Sequence, residues 1–141
     1  MRKIILYIAI LVATSLMADE IHWAKDFQSG IETAQKENKP VLFIISKHSC
    51  PPCKLLAATT YKDERVIKML NENFVSIIAH TDERDAMPRS LFLGVTPTIW
   101  FLKPSSEPMF EAIKGAPSTH NFLYYLGVVK TDFDNNNKRV Q

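Results

Sequence analysis

Three nearly unbroken apolar runs divide this chain: residues 41–45 (VLFII), 74–79 (FVSIIA) and 98–102 (TIWFL). Each is short and predicts a strand, and the first, rich in β-branched residues, one buried on both faces. Between them the period changes. Trp23, Phe27, Ile31 and Ala34 recur at steps of four, four and three, while Lys25, Asp26, Glu32, Lys36 and Glu37 take other faces. That spacing predicts an amphipathic helix over 23–38, ended by Asn38-Lys39-Pro40. Residues 53–58 read as helix. Asp63 is suited to cap a further helix carrying Val66, Ile67 and Leu70. A short helix is expected within 86–93, closed by Gly94. Residues 103–108 form a turn, and 109–113 a short fourth strand antiparallel to the third. Ser118 or Thr119 caps a last helix containing Phe122, Leu123, Tyr125, Leu126 and Val129. Residues 131–141 are polar and Asn-rich and are expected to fray as a flexible tail.

The order is helix, strand, helix, strand, helix, strand, strand, helix. Strands separated by helices imply right-handed parallel crossovers, and the last pair implies a hairpin. The fold class is α/β, with a mixed central sheet of about four to five strands and helices on both faces.

The first 18 residues stand outside this pattern. Arg2 and Lys3 form a basic start, residues 4–16 are largely apolar, and Leu16-Met17-Ala18 offers a cleavage site. This is the three-part arrangement of a secretory signal peptide, and its apolar stretch is shorter than the roughly 20 residues a spanning helix needs. The expected organisation is 1–18 signal peptide, 19–130 a single domain and 131–141 tail. Export by such a leader is expected to place the protein in the periplasm, and no membrane span is expected in the mature chain. Of 17 basic residues, two lie in the leader, leaving 15 against 15 acidic ones and a formal charge of zero. That balance gives no basic footprint for nucleic acid.

Against this background the cysteines carry the chemistry. The chain has two, in Cys50-Pro51-Pro52-Cys53, just past the first predicted strand and at a predicted helix start. Open α/β sheets place their sites at this edge. A bridge closing so small a loop removes little unfolded-state entropy, so stability is a poor reason for it. The unpaired N–H groups of a helix start favour a thiolate. Pro51 suits the first helical turn, yet neither proline has an N–H to give the sulfur. Cys50 is assigned as the exposed attacking nucleophile and Cys53, facing inward, as the resolving thiol. An inert structural bridge and half of a zinc site are the competing readings. A closed zinc site would need two ligands from His22, His48, His80 and His120. The spacing favours exchange, with no metal and no cofactor.

A second signal is Gly94-Val95-Thr96-Pro97-Thr98 before the third strand. A cis Thr96–Pro97 bond would aim the Thr96 backbone at the helix start, where an extended substrate could pair with it. An ordinary trans strand entry is the competing reading. Thr96, Pro97, Pro51 and Pro52 are the expected substrate-binding residues.

Together these elements resemble the thioredoxin family. The chain is similar in particular to exported thioredoxin-like proteins and the C-terminal periplasmic domain of DsbD-type membrane disulfide reductases. The resemblance rests on Lys39-Pro40-Val41-Leu42, Cys50-Pro51-Pro52-Cys53-Lys54, the stretches 61–66 and 71–74, and Gly94-Val95-Thr96-Pro97-Thr98. It implies a three-layer α/β/α sandwich, a cis Pro97, a nucleophilic Cys50 and a Thr96 that contacts the substrate backbone. It also implies an exported thiol–disulfide oxidoreductase acting on protein substrates, in the reducing direction, with a membrane thiol protein as electron donor. An oxidant or isomerase and a non-catalytic binding module are the alternatives. Two departures matter. Ile44 stands where the family carries a buried aspartate, and Ser49 where it carries tryptophan. No general base for Cys53 is identified. His48 is near enough in sequence to act on Cys50, and a solvated loop histidine is the competing reading.

Overall fold

The computed structural model describes residues 19–139; the expected signal peptide lies outside them. The elements are α1 (Phe27–Glu37), β1 (Val41–Ser46), α2 (Pro51–Ala58), a 3-10 turn (Thr60–Lys62), α3 (Glu64–Asn73), β2 (Val75–His80), a second 3-10 turn (Arg89–Leu91), β3 (Thr98–Leu102), β4 (Ile113–Lys114) and α4 (Thr119–Arg139). The strands form one mixed sheet in the order β2-β1-β3-β4.

The all-apolar β1 sits at the centre, and its alternation sorts two cores. Leu42 and Ile44 join Ile99 and Phe101 of β3 against Leu56, Val66, Ile67, Leu70, Phe122 and Leu126 of α2, α3 and α4. Val41, Phe43 and Ile45 face the other way, with Ile77 of β2, toward Ile31 and Ala34 of α1. The five residues 41–45 are fully buried. Each such large side chain contributes about 1.5–3 kcal/mol of burial. α1 approaches the sheet closely: a Cβ on Gly30 would stand 2.5 Å from Ile77 Cγ1.

The helix starts follow local chemistry. Asp26 caps α1 in a capping box, accepting from Ser29 N–H at 2.8 Å while Ser29 Oγ accepts from Asp26 N–H at 3.2 Å. Hydrogen bonding from Ser29 to the carboxyl, its backbone N–H foremost and its hydroxyl after it, holds Asp26 below its usual range. The cap also explains why the helix starts at Phe27 and not at Trp23. Trp23 instead bridges in parallel to Ser76, and Ala24 N–H donates to Ser76 carbonyl at 2.8 Å. Asp63 caps α3, accepting from Arg65 N–H at 2.9 Å and Val66 N–H at 3.4 Å.

Three expectations need correction. First, β1 and β2 are parallel, but β3 runs antiparallel to β1, with Ile45 opposite Thr98 and Val41 opposite Leu102. The segment between β2 and β3 holds only a 3-10 turn, because Pro88 restricts Met87 to extended backbone and Leu91 N–H closes on Pro88 carbonyl at 3.0 Å. Without a crossover helix the chain stays at one end of the sheet and re-enters there. Second, β4 is later and shorter than 109–113. Leu102 bridges Pro108 and Ile99 pairs with Ile113, so five steps on one side face three on the other. The chain bulges between them. Third, residues 131–139 are helical and not frayed. Phe133 is buried, and an i,i+4 ion pair joins Lys130 to Asp134.

Candidate redox site

The antiparallel β3 brings the two sequence signals together. Ile45 and Thr98 are paired, so the chain leaving β1 toward Cys50 and the chain entering β3 through Pro97 share one edge of the sheet. Cys50 is the N-cap of α2, with extended backbone, and Pro51 and Pro52 fill the first two helical positions. Cys50 and Cys53 are joined as a disulfide, with their Cα atoms 5.2 Å apart. The first backbone N–H of the helix that can reach the cap belongs to Cys53, and it donates to Cys50 Sγ at 3.3 Å. The Thr96–Pro97 peptide bond is cis. The Thr96 carbonyl oxygen lies 3.3 Å from Cys50 Sγ. Thr98 Oγ1 donates to Val95 carbonyl at 2.6 Å, and Trp100 Nε1–H donates to Leu91 carbonyl at 2.8 Å, which ties the incoming loop to β3.

The expected contrast between an exposed Cys50 and an inward Cys53 is not what the structure has. Cys50 is 8% exposed and Cys53 6%. The Cys50 side chain folds back onto the helix start, and the Thr96 carbonyl closes one approach to it. The asymmetry lies in their partners instead: Cys50 Sγ touches the Thr96 backbone and the Cys53 amide. Pro51 and Pro52 are exposed, Thr96 is half-buried and Pro97 is buried. All six residues singled out from the sequence therefore meet at one site.

Ile44, in the strand beneath, is fully buried. The buried polar residues among those described are Ser46, Thr60, Ser76 and Thr98, and none is a carboxylate. The structure thus supplies no buried acid to take a proton from Cys53. His48 is not a free loop histidine. Its Nδ1 lies 3.1 Å from Asp82 Oδ1, and its backbone N–H donates to Asp82 Oδ2 at 2.9 Å. Partial burial alone would raise the Asp82 carboxyl. The hydrogen bonds from His48, ring and backbone, together with its own backbone N–H and the His48 charge, outweigh it and the pKa is lowered. Asp82 carried no signal in the sequence beyond membership of a polar loop. Only the register of β1 with β2 brings it to His48.

A four-stranded mixed sheet with helices on both faces, a Cys-Pro-Pro-Cys disulfide at a helix start and an adjacent Thr96–Pro97 element define a thioredoxin-like protein. The chain belongs to the Thioredox_DsbH family, described as "Protein of unknown function, DUF255", whose pattern matches residues 12–140. Among solved structures it is similar to a thioredoxin from Thermus thermophilus, with TM-score 0.66 and 22% identity over 80% of this chain and 88% of that one. It is also similar to the oxidised C-terminal domain of Neisseria meningitidis DsbD, with TM-score 0.56 and 23% identity over 70% and 88%. At these identities the likeness is one of fold. Among curated proteins, Spermatogenesis-associated protein 20 of Rattus norvegicus is 28% identical over 97 residues. That match takes in 62% of this chain and 12% of the rat protein, so the chain spans only a small part of that relative.

Proposed function

We propose that this protein is an exported thiol–disulfide oxidoreductase that reduces disulfides in protein substrates. The observation that carries the reading is the Cys50–Cys53 disulfide at the start of α2, with Thr96 carbonyl 3.3 Å from Cys50 Sγ. In the dithiol form, the Cys50 thiolate attacks one sulfur of a substrate disulfide and expels the other as thiolate. Cys53, as thiolate, then attacks Cys50 Sγ in the mixed disulfide. The Cys50–Cys53 bond forms, the second substrate thiolate leaves, and two electrons have passed to the substrate. Thr96 and Pro97 present the substrate backbone to the sulfur, and the exposed Pro51 and Pro52 border the approach. A new cycle needs a donor of two electrons, for which a membrane thiol protein is suited because the periplasm is kept oxidising.

The prolines support the reducing direction. A strong oxidant is one whose reduced, thiolate form is stabilised. Here the first two helical positions offer the Cys50 sulfur no N–H, and the Cys53 amide alone reaches it. The thiolate is held weakly, so the dithiol gives up its electrons more readily. A redox titration is expected to place the pair nearer to about −270 mV than to about −120 mV. Insulin reduction with dithiothreitol should be accelerated by the wild type and not by Cys50→Ser. Equal inactivity of the two would leave a non-catalytic binding module, the reading that buried Ile44 and the low exposure of Cys50 favour. A potential near that of the strong oxidants would reverse the direction.

A further inference from the structure

Two histidines outside the disulfide chemistry meet beside it. His48 lies in the β1–α2 connection and His80 ends β2. Ser46 pairs with His80 in register, so the two connections leave the sheet side by side. The imidazole rings stack with centroids 4.2 Å apart and planes 20° apart. Thr81 N–H donates to Ser46 carbonyl at 3.0 Å, and the Asp82 carboxylate holds the His48 amide, so the two loops are tied together.

Each ring has a carboxylate at the same nitrogen. His48 Nδ1 lies 3.1 Å from Asp82, and His80 Nδ1 lies 3.7 Å from Asp85. The Asp85 carboxylate also accepts from His80 N–H at 2.8 Å. A carboxylate on one ring nitrogen fixes the tautomer and makes the other nitrogen a better ligand, the usual outer support of a metal-bound histidine. The Nε2 of His48 faces Glu83 Oε1 at 3.5 Å. A ring nitrogen of each histidine and a Glu83 carboxylate oxygen all lie within 4.8 Å of one another. Ligands about 2.1 Å from a tetrahedral zinc ion stand roughly 3.4 Å apart. Bringing them to one ion takes a closure of about an ångström and a turn of one ring out of the stack so that the nitrogen lone pairs converge. His48 and Glu83, each more than half exposed, have the room for it. The loop carries Asp82, Glu83 and Asp85 against Arg84, so its charge favours a cation.

We propose that His48, His80 and Glu83 form a binding site for a divalent transition cation, Zn²⁺ above all, with water in the fourth position and Asp82 and Asp85 orienting the two rings. Two imidazoles and one carboxylate with an open position are a recognised zinc set. The site uses neither thiol, so it stands or falls independently of the redox reading.

The test is isothermal titration of untagged protein, with its disulfide closed, by Zn²⁺, together with the visible spectrum of a Co²⁺ titration. One equivalent of Zn²⁺ should bind, and the Co²⁺ spectrum should show nitrogen and oxygen ligation with no thiolate charge-transfer band. Asp82→Asn should weaken binding by about 10- to 100-fold, and His80→Ala and Glu83→Gln by at least as much. The double variant Cys50→Ser, Cys53→Ser should bind as the wild type does. Glu83 is exposed, so Glu83→Gln tests the site without disturbing the core. The proposal is overturned if no stoichiometric heat is found, if Glu83→Gln and His80→Ala titrate like the wild type, or if the cysteine double variant loses the ion.

Discussion

Pro52 occupies the second helical position of α2, from which an N–H would ordinarily bond the capping side chain. Its ring removes that donor, and the Cys50 sulfur is left with the Cys53 amide at 3.3 Å. Pro52→Ala returns one N–H at the place where the thiolate charge develops. One such bond is expected to lower the Cys50 pKa in the dithiol form by about one unit, or about 1.4 kcal/mol. Stabilising the reduced form raises the potential, here by at most about 30 mV for a two-electron couple. Thiolate absorbance followed against pH, and a redox titration of the same variant, read both quantities. An unchanged pKa with an unchanged potential would show that the helix start is not what sets the reactivity of Cys50.

At the scale of elements, α3 shows how one side chain fixes a boundary. Asp63 accepts from the backbone of Arg65 and Val66 and pairs with the Arg65 guanidinium, Nη2 lying 2.8 Å from Oδ2. The Arg65 side-chain bond is the largest cause of its low carboxyl pKa, pushed from 3.8 down to about 2. Asp63→Ala should cost about 1 kcal/mol in denaturant unfolding at neutral pH. A carboxyl depressed in the folded state adds stability that is complete above its ordinary value and lost as the pH falls toward the folded one. The gap between wild type and variant should therefore hold above pH 3.8 and narrow as the pH drops toward about 2. A gap that stayed constant through that window would exclude the charge as its source. This boundary was legible because a cap is a local signal, read from Asp63 and the apolar residues that follow it. The start of α1 was less so, since Trp23 keeps helical spacing with Phe27 while its backbone pairs with Ser76, a partner far along the chain. The direction of β3 was illegible for the same reason. Within 81–97 Pro88 argues against a helix, but nothing there records that the strand returns from the same edge.

Over the whole molecule the two ends of the sheet do different things. The edge where β1 ends carries Cys50, Pro97 and the His48–His80 pair, and the sequence revealed the first two because each belongs to a compact motif. The pairing of His48 with Asp82 and the meeting of His48 with His80 join residues some thirty positions apart, and only the β1–β2 register makes them neighbours. Past the opposite edge, where β3 ends at Leu102, residues 103–105 share a cavity with the last turns of α4, whose asparagines read as a loose tail. Phe133 lies there, buried, beside a cavity that it lines with Asn38, Lys103, Pro104 and Met109. A single apolar residue among polar ones gives a weak periodic signal, yet its burial decides that the helix runs on. Phe133→Ala removes that anchor and is expected to cost about 3 kcal/mol, the lower end for a buried phenylalanine. Because the disulfide lies at the other end of β1, the reduction potential of the variant should equal that of the wild type. Denaturant unfolding and a redox titration on one preparation test both halves. Unchanged stability would mean that residues 131–139 do not anchor the fold, and a shifted potential would mean that the two edges are coupled through β1.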